Sequence, residues 1–176
     1  MTDSPYEKSL RRVLFISAMD GWSISLFAGL CTLISLLFGE WIGVSIGGII
    51  TACGIFELRG RKQLTRGNID GFKWLVRSQV FILCTVLLYA SENMFAYDEA
   101  TLLAGMTDDI RNALSQAGLS VEDLRPLMKP VVYGFYLIVM GVTLIFQGGL
   151  AIFYQRSRPS VVAALAARST PLQPRA

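Results

Sequence analysis

The pattern of hydrophobic and polar positions in this chain is set by long apolar segments. After a polar start, residues 13–58 contain no lysine or arginine, which is enough length for two membrane-crossing helices joined at Gly39-Glu40. A third apolar segment begins near Phe72, and a fourth, Val131–Tyr154, carries no charge at all. We therefore predict an all-α, polytopic membrane protein. Its four transmembrane helices are predicted at about residues 21–38, 41–57, 72–92 and 131–154.

The two ends of the chain are predicted to lie outside these spans. Residues 1–20 form a cytoplasmic N-terminal or interfacial segment, in which Tyr6–Met19 is either an interfacial helix or the first turns of the first span. The Asp20-Gly21 pair favours a break, because aspartate caps helices and glycine permits a change of direction. Residues 155–176 are predicted to be a basic cytoplasmic tail, mostly disordered.

The polar connection between the third and fourth spans, residues 93–129, contains two sets of helix signals. Thr107 precedes an acidic pair as a helix N-cap does, and Gly118 marks the end of that helix. Ser120 opens a capping-box pattern for a second short helix, and Pro130 marks the start of the fourth span. We predict a short extracytoplasmic helical hairpin, which either lies on the membrane and caps the bundle or docks a partner.

Charge placement predicts the orientation of the chain. Thirteen of its 16 lysine and arginine residues fall in the N-terminus, the 58–77 connection and the C-terminus, which share one side of a four-span protein. Positively charged loops stay cytoplasmic, so both termini are predicted to be cytoplasmic. All three tryptophans also fall at predicted membrane boundaries, where amphipathic rings prefer to lie. A multi-pass protein of the cell inner (plasma) membrane is the expected location.

Composition narrows the chemistry. Hydrophobic residues make up 53% of the chain and charged residues 16%, which indicates a membrane protein. Histidine is absent, and the three cysteines lie within apolar segments, so neither a common general base nor a disulfide framework is indicated. The basic residues form no stripe with stacking aromatics, which argues against nucleic-acid binding. We recognise no catalytic, metal-binding or cofactor-binding motif and expect a protein that is not an enzyme.

Ionisable residues near the spans are the first candidates for a functional role. Asp20, Glu57, Arg77 and Glu92 all fall at predicted span ends, where a side chain reaches water easily, so a structural role is favoured. The sharper hypothesis is an ion pair between Asp20 and Arg77 or Lys73, which would hold the first span against the third.

Other residues are candidates for helix packing and lipid contact. Gln79 and Gln147 lie at depth, where they either hydrogen-bond across helices or line a conduit. Gly43-x-x-x-Gly47 and Gly48 allow close packing against the first span or homodimerisation. Anionic lipid headgroups at the cytoplasmic side are predicted to contact four basic residues, namely Arg59, Arg61, Lys62 and Arg66.

These observations favour a non-catalytic integral membrane protein. We predict a structural, assembly or accessory subunit that acts through helix packing and its outward hairpin, with a homodimer or another membrane protein as partner. The alternative is a subunit of an oligomeric channel or transporter, since four short spans enclose little space by themselves.

Overall fold

A computed structural model describes residues 4–118 and 120–169, and all of the regular structure in these residues is helical. The elements follow in the order α1 (Pro5–Leu37), α2 (Trp41–Thr65), α3 (Gly71–Phe95), α4 (Glu99–Ala104), α5 (Asp108–Gln116), α6 (Val121–Thr143), a π-helical segment (Leu144–Gly148) and α7 (Gly149–Ser169). Four helical stretches are long and apolar enough to cross a membrane: α1, α2, α3 and the continuous Val121–Arg168. The prediction of four membrane-crossing helices is confirmed at this level. Gly39 has a φ of 70° between α1 and α2, as a glycine turn there requires.

The chain divides into two compact units. One comprises the described parts of Met1–Thr85 and Leu144–Ala176, and the other is Val86–Thr143. The first unit has a hydrophobic core at the end of the helices that carries most of the basic residues. Its buried members come from α1, α2, α3 and α7 and are Leu10, Val13, Leu64, Phe72, Leu75, Tyr154, Val161, Ala164 and Leu165.

The second unit is held by polar and aromatic contacts around the connection after α3. The Tyr133 hydroxyl donates to the Met94 carbonyl oxygen over 2.8 Å, and the Tyr97 ring meets the Tyr133 ring edge-on. An ion pair of 3.0 Å joins Arg125 to Glu99. Most side chains of α5 are exposed, and none is buried.

The predicted break at Asp20-Gly21 is wrong, because α1 continues through both residues. Gly21 is buried, and a Cβ there would lie 3.0 Å from the Leu58 side chain and 3.2 Å from the Gly54 carbonyl oxygen. The residue is therefore small so that α2 can approach closely, and it does not bend the helix.

The prediction of a mostly disordered tail is also wrong as far as the structure describes it. α7 continues to Ser169, and Val161, Ala164 and Leu165 are buried in the core of the first unit. Both Arg168 and Glu7 are exposed enough for their ion pair to add little, so apolar burial is the main reason that this segment is ordered. Residues 170–176 of the predicted tail lie outside the described residues.

The predicted hairpin between the third and fourth spans is not found in that form. A short α4 precedes α5, and the second predicted helix is the first part of the long α6. Its start is capped as predicted, since Ser120 and Asp123 exchange hydrogen bonds of 2.6–3.2 Å. Pro130 lies inside α6 and does not begin it.

Small residues let α1 and α2 pack closely. A Cβ on Gly43 would collide with the Ser35 side chain, and one on Gly47 would collide with Thr32. At Gly54 a Cβ would collide with the Ser25 hydroxyl group and would also lie 3.0 Å from two backbone atoms, the Gly21 oxygen and the Ser25 nitrogen. The Gly43-x-x-x-Gly47 motif thus faces α1, whereas Gly48 has nothing within 4 Å of its Cβ position.

Gly54→Ala should destabilise the protein, and Gly48→Ala serves as the matched control. We expect Gly54→Ala to lower the free energy of unfolding in mild detergent by about 1–3 kcal/mol, because the added methyl group meets backbone atoms. Gly48→Ala should leave it unchanged or raise it by up to about 1 kcal/mol, since alanine favours helix. Equal stability of the two variants would contradict the close approach of α1 and α2.

Candidate functional site

The most unusual feature of the first unit is a buried cluster of polar side chains where four helices meet. Asp20 lies on α1, Glu57 on α2, Gln79 on α3 and Tyr154 on α7. The Gln79 amide nitrogen Nε2 donates to Asp20 Oδ2 and to Glu57 Oε2, both over 2.8 Å. The Tyr154 hydroxyl donates to Glu57 Oε1 over 2.5 Å. One chain of hydrogen bonds thereby connects all four helices.

Glu57 is the centre of this cluster. Its exposed fraction is 0%, as is that of Gln79 and Tyr154. Burying a carboxylate without partners would cost several kcal/mol, so its hydrogen bonds are a condition of its position. Each of the two carboxyl oxygens receives one donor, from Tyr154 and from Gln79. α2 continues eight residues beyond Glu57, to Thr65, so Glu57 does not stand at a helix end as the sequence suggested.

Two carboxyl groups face each other in the cluster. Asp20 and Glu57 accept hydrogen bonds from the same Gln79 nitrogen, which brings their carboxyl groups close together. Asp20 is half-buried, so it stands between the surface and the fully buried Glu57. Because the Gln79 amide is the donor for both carboxyl groups, it holds α1 and α2 against α3 at this depth.

The structure replaces the predicted ion pair of Asp20 with Arg77 or Lys73. Asp20 bonds to Gln79, Lys73 pairs with Asp70 over 2.8 Å, and Arg77 is exposed. Residues two apart on a helix point about 200° from each other, so Gln79 faces the bundle and Arg77 faces away. The prediction of an ion pair was wrong because it considered only that Asp20 and Arg77 lie at a similar depth. It did not consider which face of α3 carries Arg77.

The two predicted buried glutamines differ. Gln79 makes the interhelical hydrogen bonds that its depth indicated, although its Oε1 is buried without a partner. Gln147 lies in the π-helical segment, and its Oε1 is likewise buried without a hydrogen-bond partner among the described residues. π-helical turns occur frequently at functional sites, which makes Gln147 a second residue of interest.

The four predicted headgroup residues are not equivalent. Arg59, Lys62 and Arg66 are exposed. Arg61 is half-buried, and its Nε donates to the Leu14 carbonyl oxygen over 3.0 Å, which ties α2 to α1. Arg61 therefore has a structural contact that the other three do not show.

No family model matches the chain, and no match was found among the curated proteins or the solved structures. The cluster is therefore interpreted from its own geometry. Within the described residues, no group of three or more cysteine, aspartate or glutamate side chains is arranged to hold a metal ion.

The sequence contained an indication that Glu57 faces another helix, but it was missed because Glu57 was placed at the end of a predicted span. Glu57 follows Gly54 by three residues, which places it on the same helix face as the glycines that contact α1. Tyr154 gave no comparable signal, because a tyrosine at the end of an apolar segment is typical of a membrane interface.

The Glu57–Tyr154 hydrogen bond can be tested by a double-mutant cycle. In the natural protein, Tyr154→Phe should lower the free energy of unfolding in detergent by roughly 0.5–2 kcal/mol, as interhelical hydrogen bonds do in membranes. In a Glu57→Leu background, Tyr154→Phe should leave the free energy of unfolding unchanged, because the Tyr154 hydroxyl has already lost its acceptor. Tyr6→Phe, at an exposed tyrosine, is the control. The same cost in both backgrounds would exclude the hydrogen bond.

A charge swap tests the corrected role of Asp20. Asp20→Arg should reduce the yield of folded protein, because it removes the Gln79 contact and places a cation beside the cluster. Adding Arg77→Asp should not restore the yield, since Arg77 faces away from Asp20. The comparison is made by size-exclusion chromatography of membrane extracts. Recovery of yield in the swapped variant would support the original ion pair instead.

Proposed function

We propose that this chain is a non-catalytic multi-pass membrane protein that acts as a structural, assembly or accessory subunit. The main support for the proposal is that the buried polar groups form hydrogen bonds with one another. Glu57, Gln79 and Tyr154 bond to one another at the junction of four helices, and the glycines of α2 pack on α1. Both features favour a rigid scaffold over a polar conduit within one chain.

The surface for a partner is proposed to be the connection between the third and fourth membrane-crossing helices. α5 is mostly exposed, with Asp108 and Asp109 in its first turn and Ile110 48% exposed. An exposed amphipathic helix supports either contact with a partner or attachment to the membrane surface. We favour a partner protein or a second copy of the chain.

The alternative proposal is a subunit of an oligomeric channel or transporter. It is favoured by Gln147, whose unpartnered oxygen lies in the π-helical segment beside Gly148 and Gly149. A Cβ on either glycine would meet nothing within 4 Å, so the surface there is open to another helix. In an oligomer this glutamine could face a shared interior.

We also propose an orientation and a lipid contact for the chain. The charge asymmetry supports an inner-membrane protein with both termini in the cytoplasm. Exposed Arg59, Lys62 and Arg66 support contact with anionic lipid headgroups on that side.

A mild-detergent pull-down from the native membrane, followed by intact-complex mass determination, tests the proposal. An accessory subunit should purify with a specific partner at fixed stoichiometry. Replacing α5 by a glycine-serine linker of equal length should release that partner, because the exposed contact surface is removed. An Arg59→Gln, Lys62→Gln variant should keep the partner and serves as the control.

Other results would favour the alternative or reject both functions. A pure homo-oligomer of four or more chains that passes solute in liposomes would support a channel, and Gln147→Leu should then lower the flux. A monomer that co-purifies with nothing and leaves liposomes impermeable would contradict both proposals.

A further inference from the structure

A groove in the first unit brings basic side chains from two helices together. It has a volume of about 460 Å³ and lies between the start of α3 and the middle of α7. Its polar lining includes Lys73, Arg77, Gln155 and Arg158, and its apolar lining includes Phe72 and Val76. Residues far apart in the sequence therefore form one surface. It includes none of the four residues predicted to contact lipid headgroups, which are Arg59, Arg61, Lys62 and Arg66.

The groove carries a net positive charge. Lys73 is paired with Asp70 over 2.8 Å. Its ammonium group, with a smaller contribution from the Arg158 guanidinium, holds the pKa of Asp70 below its ordinary value. No carboxylate in residues 4–118 and 120–169 lies within ion-pair distance of Arg77 or Arg158. Two guanidinium groups and the Gln155 amide thus remain to donate hydrogen bonds, and guanidinium groups match the oxygens of a phosphate.

The groove also lies at the edge of a large apolar surface. About one helical turn further along α3, Val80 and Phe81 are 46% and 60% exposed. On α7, Ile152 is 53% exposed and precedes Gln155 by three residues, which places both on one face. A cationic groove directly beside exposed apolar side chains matches an amphiphile with an anionic head and hydrocarbon chains.

We propose that this groove is a specific site for an anionic phospholipid, with the phosphate held by Arg77 and Arg158 and the acyl chains lying on Val80, Phe81 and Ile152. The inference rests on the membrane location of the proposed function and adds a single defined site to it. A soluble phosphate compound would use the same guanidinium groups but would leave the adjoining apolar surface uncovered. The lipid is therefore the favoured occupant.

Native mass spectrometry of the full chain in detergent, titrated with phosphatidylglycerol, tests the site. We expect one lipid to bind before any other, with phosphatidylcholine binding at least tenfold more weakly. Arg77→Gln, Arg158→Gln should weaken the binding of phosphatidylglycerol by roughly 30-fold, the effect of two surface cations near an anionic lipid. The Arg77→Lys, Arg158→Lys variant should retain most of the affinity.

The matched control removes two exposed cations elsewhere. Lys8→Gln, Arg12→Gln, at two exposed residues of α1, should change the affinity less than threefold, and an equal loss in both double variants would overturn the site in favour of general charge attraction. Displacement of the lipid by millimolar glycerol phosphate would overturn the lipid as occupant. Extraction of the natural protein from membranes by alkaline carbonate would instead overturn the membrane location, so the two failures are distinguishable.

Discussion

The burial of Glu57 is the constraint on which the first unit depends. A fully buried carboxyl group is tolerable only when hydrogen-bond donors approach it from several directions. Here the donors come from α3 and α7, and the facing carboxyl group comes from α1. Moving α2, α3 or α7 would deprive a fully buried polar group of a hydrogen-bond partner. The cluster therefore specifies which helices are neighbours and at what depth.

The glycines of α2 and the apolar core complete this arrangement. The small residues bring α1 and α2 close enough for Asp20 and Glu57 to share the Gln79 amide. α7 extends beyond the apolar segment and buries Val161 and Leu165 in the same core as Leu10. The same helices thus carry the glycine contacts between α1 and α2, then the polar cluster around Glu57, and then the apolar core. An arrangement of this kind favours a fixed scaffold.

Hydrophobic patterning predicted the helices well but not their partners. Four apolar segments and the Gly39 turn follow directly from length and composition, because the bilayer demands continuous helices. The helix ends were harder to predict. Pro130 resembles a helix start and Gly21 resembles a hinge, yet both lie inside helices, and Gly21 does so because it packs against α2. Glu57 was placed at a span end, because an apolar window cannot show that the helix continues to Thr65. Tyr154 could not be identified as the partner of Glu57 without knowing which helices are in contact.

Glu57 joins α3 to α7 within the first unit through hydrogen bonds from Gln79 and Tyr154. Solid-state NMR of the chain in lipid bilayers, with carbon-13 in glutamate, glutamine and tyrosine side chains, measures this contact directly. We expect through-space cross-peaks from the Glu57 carboxyl carbon to the Tyr154 ring carbon that bears the hydroxyl and to the Gln79 amide carbon. Both should vanish in Glu57→Leu. A Glu57 carboxyl signal that contacts water and neither side chain would contradict the account.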